Sequence, residues 1–252
     1  MSLDPLQLAQ SLERVVVRND QRKYYRLVRS DRWYGGICTS DCCGCNLRCV
    51  FCWSGKPRDD PASVGRFYTP EQVANALVRC ARKRGFRQVR ISGNEPTIGR
   101  EHLLKVLELI DSTSLRFILE TNGILIGYDK GYARDLSKFS CLHVRVSIKG
   151  ATPEEFAKLT LAKPEFFEYQ ITALENLLDA GVSCHPCAML SFSTEENVKK
   201  LLKMLLEIDP VLVREFEEEY VFLYPHVKKR LKQYGIKPLV AYSPSCIPEE
   251  LI

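Results

Sequence analysis

The sequence predicts an α/β fold, an open and partial (β/α)6 TIM-like barrel of parallel strands with an N-terminal edge hairpin. Short segments rich in Val, Ile and Leu alternate with helix-like segments along most of the chain, and such alternation implies right-handed crossovers between parallel strands. About six strand–helix units fit into 252 residues, too few for a complete eight-fold barrel. Functional groups in these folds gather at the carboxyl ends of the strands, so motifs at those positions carry extra weight.

The beginning of the chain is expected to form a helix and an edge hairpin that pack on the barrel. A helix is predicted over residues 5–13, and strand-like stretches occupy residues 23–28 and 33–39, separated by polar residues. We therefore divide the chain into residues 1–32, the helix and hairpin, and residues 33–252, the partial barrel. Both parts belong to a single domain overall.

The rest of the chain supplies the alternating units. Strands are predicted where apolar runs follow a turn residue, at residues 88–92, 115–120, 143–148, 182–190 and 211–216. Helices are predicted where Thr-Pro or Glu-rich first turns favour a helix start, at residues 70–83, 100–110, 132–138, 164–180, 194–207 and 227–234.

The composition narrows the class of protein. Thirty-six basic residues against 31 acidic ones give a formal charge of +5, a mild excess that permits an acidic partner or RNA but demands neither. The chain contains no apolar run of the roughly 18 residues that a membrane span needs, and its N-terminus lacks the order of a secretory signal. We expect a cytoplasmic monomer without a membrane partner.

Eleven cysteines are a high and odd count, so complete internal disulfide pairing is impossible. In a chain without an export signal thiols are expected to stay reduced, and clustered cysteines are then more typical of metal ligands. Cys45, Cys49 and Cys52 follow the first core strand at intervals of four and three positions. Three thiolates so close in sequence can wrap one face of a four-iron cluster and leave the fourth iron open to another ligand.

Two other arrangements of cysteine ligands are compatible with the sequence. Cys38, Cys42 and Cys45 have the same spacing as Cys45, Cys49 and Cys52. Gly44 precedes the last cysteine of the first set, whereas an aromatic residue precedes the last cysteine of the second set, which is therefore preferred. A zinc site would need a second cysteine pair, which residues 184–187 could supply.

The loop with Phe51 before its last cysteine resembles the signature of the radical S-adenosylmethionine (SAM) superfamily. This resemblance implies that Cys45, Cys49 and Cys52 bind a [4Fe-4S] cluster. It also implies that SAM chelates the open iron through its amino and carboxylate groups, with Phe51 near the adenine.

Motifs after three consecutive strands add to this resemblance. Gly93, Asn94 and Glu95, followed by a proline, resemble the Gly-Gly-Glu-Pro element that binds the SAM ammonium, with asparagine in place of the second glycine. The next two strands end in polar residues that resemble the carboxylate and ribose contacts of the glycyl-radical-enzyme activating enzymes, typified by pyruvate formate-lyase activating enzyme. These residues are Thr121, Asn122, Ser147 and Lys149.

Later segments carry weaker signals. His226 resembles a late histidine that approaches the ribose in the activating enzymes, and a surface histidine is the alternative. Alternation places His185, Cys187 and Met189 on one strand face, where Cys187 is either simply buried, a hydrogen-atom donor or an auxiliary metal ligand. Cys246 could act as a mobile thiol. Cysteines outside the preferred frame are apolar fillers or ligands of a second cluster, namely Cys38, Cys42, Cys43, Cys184 and Cys187.

A run of basic residues follows the helix predicted at residues 70–83. It is interpreted as a solvated face that stabilises the helix end, with an acidic electron donor or RNA as alternative partners. Its members are Arg79, Arg82, Lys83, Arg84, Arg87 and Arg90.

Together these features predict an enzyme that cleaves SAM to methionine and a 5'-deoxyadenosyl radical, which abstracts hydrogen from a substrate. Reduced ferredoxin or flavodoxin is the expected electron donor, and a protein is the preferred substrate, as in the activating enzymes. The alternatives are radical modification of RNA or a small metabolite, and a non-enzymatic metal or electron-transfer protein. The sequence names no residue that acts on the substrate.

Overall fold

The computed structural model describes residues 2–248. Its strands are β1 (Val17–Arg18), β2 (Gln21–Asp31), β3 (Ile37–Cys42), β4 (Arg66–Tyr68), β5 (Gln88–Ser92), β6 (Arg116–Thr121), β7 (Leu142–Ile148), β8 (Cys184–Met189), β9 (Glu217–Glu219), β10 (Val221–Phe222) and β11 (Ala241–Tyr242). Its α-helices are α1 (Pro5–Val16), α2 (Gly55–Asp59), α3 (Pro70–Arg84), α4 (Arg100–Asp111), α5 (Ile124–Tyr128), α6 (Lys130–Leu136), α7 (Pro153–Thr160), α8 (Phe167–Asp179), α9 (Glu195–Ile208), α10 (Pro210–Arg214) and α11 (Pro225–Gln233).

Six parallel strands form the main part of the sheet, in the order β3-β5-β6-β7-β8-β9. The antiparallel strand β2 extends this sheet beside β3, and β1 and β4 both pair with β2. In the described residues the sheet does not close, because β1 and β9 end its strand order. The predicted partial (β/α)6 barrel with an N-terminal edge hairpin is confirmed, whereas the domain division at residue 32 stays a prediction.

Strand alternation separates the core of the protein from the barrel interior. The residues that face the helices are apolar and almost completely buried, among them Val89, Ile91, Phe117, Leu119, Val144 and Val146. The residues between them point to the interior and are charged, as Arg90, Glu120 and Arg145 illustrate. Since side chains alternate between the two faces of a strand, the same strands build both the apolar core and a polar inner wall.

Two predicted strands need correction. Residues 33–35 form a 3-10 turn, because Tyr34, Gly35 and Gly36 have positive φ angles of 55°, 75° and 116°, and extended backbone excludes such values. Residues 211–216 do not form a strand. Asp209 accepts a hydrogen bond from the Val211 amide (2.7 Å) and caps α10 with Pro210 as its first residue, so the sixth core strand is the acidic β9 instead.

The predicted helices are confirmed to within a few residues, because their start signals operate locally. Thr69 caps α3 and forms a capping box with Gln72, and Thr194 caps α9. Sequence reasoning missed α2, α5, α7 and α10, which are five to eight residues long. Helices this short leave little room for an apolar period.

The cysteines outside the loop are placed as follows. The Cys38 and Cys80 sulfurs form a disulfide between β3 and α3, so the expectation that every thiol is free is wrong for this pair. Cys38 is therefore not available as a metal ligand in the alternative set Cys38, Cys42 and Cys45. Cys42 and Cys43 are completely buried free thiols, in agreement with their interpretation as apolar fillers.

No helix within residues 2–248 is both long and apolar enough to cross a membrane.

The contact of α5 with α8 positions the turn that follows β6. Gly127 of α5 lies directly against the Tyr169 backbone of α8, so that a Cβ atom at Gly127 would be 2.7 Å from the Tyr169 carbonyl carbon. From the same helix, Gln170 donates hydrogen bonds to the Asn122 carbonyl (2.6 Å) and the Ser147 carbonyl (3.0 Å). The ends of β6 and β7 are therefore held together by a buried amide of α8.

We expect Gly127→Ala to lower the free energy of unfolding by about 1–3 kcal/mol, because the added methyl group would overlap backbone that has no room to move. Urea unfolding measures the change. Gly181→Ala is the control, since Gly181 has open space around it. Its positive φ (72°) alone should cost only ~1 kcal/mol. An equal loss in both variants would contradict the close packing of α5 on α8.

Candidate active site

A cavity of about 810 Å³ lies at the carboxyl ends of the central strands. Its wall brings together most of the residues that the sequence singled out. Those that line it are Cys45, Cys49, Phe51, Cys52, Gly93, Asn94, Glu95, Thr121, Asn122, Ser147 and Lys149. The prediction that these motifs meet at one edge of the sheet agrees with this placement.

The cysteine loop lies across the end of the barrel and presents its thiols to this cavity. Cys49 is 6% exposed, and Cys45 and Cys52 are partly buried. All three are free thiols. Burial raises the pKa of Cys49 to about 11, and burial together with the nearby Glu95 carboxylate raises the pKa of Cys45. A metal that binds here would replace the thiol protons, since the thiolate is the ligand.

Phe51 forms part of an aromatic and cationic wall beside the thiols. Its ring centroid lies 5.7 Å from that of Phe192, and Lys149 Nζ lies 5.9 Å from the Phe51 ring. The loop backbone is fixed to the end of α7, since the Val50 amide donates to the Leu159 carbonyl (2.8 Å). The loop is thereby positioned before any ligand arrives.

The turn after β5 brings backbone and an amide side chain to the cavity. Gly93 has a φ of 93°, and a Cβ atom there would lie 2.8 Å from Asp41 Cβ, so glycine is required. Asn94 donates from Nδ2 to Ser54 Oγ (2.9 Å), whereas its buried Oδ1 atom has no hydrogen-bond partner among the described residues. An unpaired buried acceptor is costly. Asn94 therefore lines the cavity with an acceptor left unpaired on its side chain, and such an acceptor suits a cationic donor such as an ammonium group.

Glu95 organises the neighbouring strand ends. Its carboxylate, 1% exposed as a residue, accepts hydrogen bonds from Thr97 Oγ1 (2.6 Å), Thr121 Oγ1 (2.6 Å) and the Asn122 amide (2.8 Å). Its own amide donates to the Gly44 carbonyl (3.0 Å). Burial raises the pKa of Glu95 and these hydrogen bonds counteract the rise. One residue, through its side chain and its backbone amide, thus joins the cysteine loop to the ends of β5 and β6.

Thr121 and Asn122, predicted to contact SAM, are largely engaged within the protein. The Thr121 hydroxyl donates to Glu95, and Asn122 Nδ2 donates to Asn46 Oδ1 in the cysteine loop (2.7 Å). Gln170, which sequence reasoning missed, accepts from the Lys149 amide (3.1 Å). Its position inside α8 gave no motif by which to find it. These amides hold the shape of the cavity wall.

The end of β7 carries a cation and an acidic partner. Lys149 Nζ donates to Ser147 Oγ, which in turn donates to Glu219 Oε2 (3.1 Å). Although burial works to lower the pKa of Lys149, the Glu219 carboxylate raises it. Lys149 is therefore a fixed positive charge in the cavity wall, as expected of a residue that binds a carboxylate.

A charged network on the inner strand faces was not predicted. Arg90 donates to Glu120 Oε1 (2.6 Å), and Arg145 forms a bidentate pair with Glu217 (2.7 and 2.9 Å). Although burial raises the pKa of Glu120, Arg90 and Arg145 lower it to about 2. Arg90 is 6% exposed, so its assignment to a solvated basic face is wrong. The inward register of positions 90, 120 and 145 was the signal that could have revealed this network.

Two candidates from the later segments lie outside the cavity wall. His226 is exposed, and its Nε2 atom pairs with the Trp53 carbonyl (2.9 Å) while Tyr224 lines the cavity instead. Cys187 is fully buried and accepts a hydrogen bond from Arg145 (2.6 Å). The geometry therefore does not support a ribose contact by His226, and it agrees with simple burial of Cys187.

The donor set fits an iron–sulfur cluster better than a single ion. Within residues 2–248 no three His, Cys, Asp or Glu side chains converge on one metal position. A structural zinc site needs four such ligands, so the zinc alternative with Cys184 and Cys187 is not supported. In a cubane each thiolate binds a different iron, and three free thiols around one cavity satisfy that requirement. The unpaired Asn94 Oδ1 and the Lys149 ammonium add complementary groups for an amino acid.

The fold and the site define a class: partial-barrel enzymes whose cofactors bind at the carboxyl ends of the strands. The sequence model of the family described as Radical SAM superfamily matches residues 39–205. The chain belongs to this superfamily, whose members are enzymes that use a [4Fe-4S] cluster and SAM.

Similar curated proteins are named GTP 3',8-cyclase. A protein from Methanosarcina acetivorans, with the name Probable GTP 3',8-cyclase, is 32% identical over 142 residues. The matched region covers 55% of this chain and 40% of that protein. Another, from Heliobacterium modesticaldum, is 32% identical over 46% of this chain and 34% of its own length. The chain thus spans less than half the length of these two relatives. Their names do not support the predicted subgroup of glycyl-radical-enzyme activating enzymes.

Solved structures with a similar fold include two that were determined with a bound ligand. Streptococcus suis SuiB bound to SAM has a TM-score of 0.58 and 17% identity, and covers 82% of this chain and 46% of that one. TYW1 with a lysine-pyruvate adduct has a TM-score of 0.54 and 14% identity, and covers 79% and 72%. At these identities the likeness shows the fold.

The network at Glu120 generates a pH prediction. A pKa lowered from its usual range to about 2 contributes stability that is fully present above about pH 4.5 and lost as the pH falls toward 2. We expect Glu120→Gln to lower the free energy of unfolding at pH 7 by about 3 kcal/mol, and by clearly less at pH 3.5. Urea titrations at both pH values measure this, with exposed Glu108→Gln as the control. A deficit that does not depend on pH would contradict the role given to the arginines.

Proposed function

We propose that this chain binds a [4Fe-4S] cluster through Cys45, Cys49 and Cys52 and cleaves SAM reductively to begin radical chemistry on a substrate. The observation that carries the proposal is that three free thiols, the Asn94 side chain and the Lys149 side chain line the same cavity. When bound, the cluster supplies the electron that breaks SAM into methionine and a 5'-deoxyadenosyl radical.

The residues of the chain orient the SAM molecule and shield it from water. Asn94 Oδ1 accepts from the ammonium group of the methionine part, and Lys149 pairs with its carboxylate. Phe51 covers the adenine. Glu95 joins the turns after β5 and β6, so that this part of the SAM site is formed before SAM binds. Exclusion of water and oxygen by the buried wall protects the radical.

We propose a small phosphate-bearing molecule of the nucleotide class as the substrate, in place of the protein partner that the activating-enzyme resemblance favoured. The GTP 3',8-cyclase name of the relatives supports this choice. The cavity mouth supports it too, because Arg26 and Trp53 line it and are 53% and 46% exposed. Guanidinium groups bind phosphates and aromatic rings stack on bases.

The electron donor is proposed to be a reduced ferredoxin or flavodoxin. Lys56 of α2 follows the cysteine loop directly and is exposed, and exposed Lys228 lies on α11, which packs against that loop. A basic surface next to the cluster suits an acidic redox protein, since complementary charge speeds association.

Replacement of Cys45, Cys49 or Cys52 by Ala should abolish both cluster binding and 5'-deoxyadenosine formation, because each variant leaves the cubane with only two of its three thiolate ligands. The test is anaerobic reconstitution, followed by iron analysis and assay of 5'-deoxyadenosine with dithionite as reductant. Cys246→Ala, at an exposed free cysteine, is the control and should behave as the unmodified chain. Full activity in any loop variant would refute the ligand assignment.

Lys149→Ala should weaken SAM binding by roughly ten- to a hundredfold, the usual range for loss of a charged hydrogen bond, while the iron content stays unchanged. Equilibrium binding of SAM to the anaerobic protein measures this. Lys158→Ala removes an exposed charge on α7 and serves as the control. An unchanged SAM affinity in Lys149→Ala would refute the proposed pairing of Lys149 with the SAM carboxylate.

The substrate class is tested by transfer of deuterium into 5'-deoxyadenosine. Deuterated nucleoside triphosphates, a tRNA pool and a candidate glycyl radical protein are offered in parallel to the reconstituted enzyme. Transfer from nucleotides alone is the expected result. Transfer only from a protein would restore the activating-enzyme interpretation.

A further inference from the structure

We propose that Arg230 and His226 of α11 are positioning residues that hold the cysteine loop, and that Arg230 also favours the reduced state of the cluster. This inference rests on the proposed function. It gives a role to the C-terminal helix, which follows the region that the family model matches.

Two consecutive carbonyl groups at the end of the cysteine loop bind α11. Arg230 Nη1 donates to the Cys52 carbonyl at 2.8 Å, and His226 Nε2 lies 2.9 Å from the Trp53 carbonyl. His226 and Arg230 are four positions apart on the helix, so they project from the same face. The contact joins parts of the chain that are 178 residues apart in sequence. The end of the cysteine loop is thus bound by α11, a helix that follows the last strand of the main sheet.

The beginning of α2 is shaped to admit the Arg230 side chain. A Cβ atom at Gly55 would lie 2.6 Å from Arg230 Nη2. Any larger residue at this position would push the guanidinium away from the loop. The close approach is therefore an independent sign that Arg230 is seated in a defined place next to Cys52.

The other two cysteines have equivalent partners. Arg48 donates to the Cys45 carbonyl, and Arg58 donates to the Cys49 carbonyl. Each of the three predicted cluster ligands therefore has a guanidinium at its carbonyl oxygen.

The three arginines differ in how far their charge is compensated. Arg58 forms a bidentate pair with Asp59 (2.7 and 2.8 Å), and Arg48 lies 3.8 Å from the same carboxylate. Among residues 2–248, no carboxylate forms an ion pair with Arg230. Of the three arginines, Arg230 is thus the one whose positive charge no described carboxylate compensates.

A fixed positive charge beside the cluster favours its reduced form. Reduction adds one electron, taken from a low-potential one-electron donor, and makes the cluster more negative by one charge. A nearby cation stabilises the more negative state, and net charge and hydrogen bonds are the usual determinants of cluster potentials. Loss of the Arg230 charge should therefore shift the potential to more negative values.

The experiment compares Arg230→Gln, Arg230→Lys and Lys229→Gln, the last of which removes an exposed charge from the same helix. The reduced fraction of the reconstituted cluster is measured by electron paramagnetic resonance in a titration against dithionite. We expect the ratio of reduced to oxidised cluster at a fixed potential to fall roughly three- to tenfold in Arg230→Gln, where tenfold equals about 59 mV for one electron. Arg230→Lys should recover most of the loss, and Lys229→Gln should show none.

A second measurement uses the protein without its cluster. Hydrogen exchange of residues 45–54 should become faster in Arg230→Gln and in His226→Ala than in Lys229→Gln, because each of these two variants loses one of the two carbonyl contacts between α11 and the loop. This readout also decides the outcome if Arg230→Gln no longer retains iron. Unchanged hydrogen exchange in both variants would refute the proposal that α11 holds the cysteine loop. An unchanged reduction potential in iron-loaded Arg230→Gln would refute the proposal that Arg230 favours the reduced cluster.

Failure of this inference is distinguishable from failure of the proposed function. If the unmodified chain assembles no iron–sulfur cluster, the proposed function fails. If it assembles one with a normal yield but the variants equal Lys229→Gln in both measurements, only the role of α11 is refuted.

Discussion

The arrangement of the site depends on one buried carboxylate, that of Glu95. Burial of a charged group is unfavourable unless hydrogen bonds compensate it, and here the compensating donors come from the turns after β5 and β6. The Glu95 backbone also binds Gly44, at the entrance of the cysteine loop. Because every donor must stay in place to satisfy this carboxylate, three segments that are distant in sequence share one fixed geometry. A rigid frame of this kind suits a site that must position a reactive cofactor.

The barrel interior obeys a second rule, charge compensation. Arg90 and Arg145 are almost completely buried. Arg90 pairs with Glu120 on the neighbouring strand β6, and Arg145 pairs with Glu217 on β9, two strands away. Buried ion pairs contribute little net stability compared with apolar packing. Their presence on the inner wall therefore favours a role in keeping the cavity polar, while the outer strand faces and the helices provide the hydrophobic core. The two functions are divided between the two faces of the same strands.

The sequence was sufficient to predict the architecture and a part of the cavity wall. Strand–helix alternation predicted five of the six parallel strands, and the cysteine spacing with the strand-end motifs identified residues that do share one cavity. Interactions set by tertiary packing escaped it, as Gln170, the Arg90–Glu120 pair and the contact of His226 with Trp53 demonstrate. Each of these depends on a partner 30 or more positions away. The strand expected at residues 211–216 was wrong because a capping aspartate and a proline outweighed an apolar run.

The short strand β9 has a consequence for behaviour in solution. It ends the open sheet with three consecutive glutamates, and two of them, Glu217 and Glu219, turn inward to pair with cations. An unprotected terminal strand invites another polypeptide to add itself to the sheet, and acidic side chains on a strand of only three residues discourage this. The barrel can therefore stay laterally open without becoming a nucleus for aggregation.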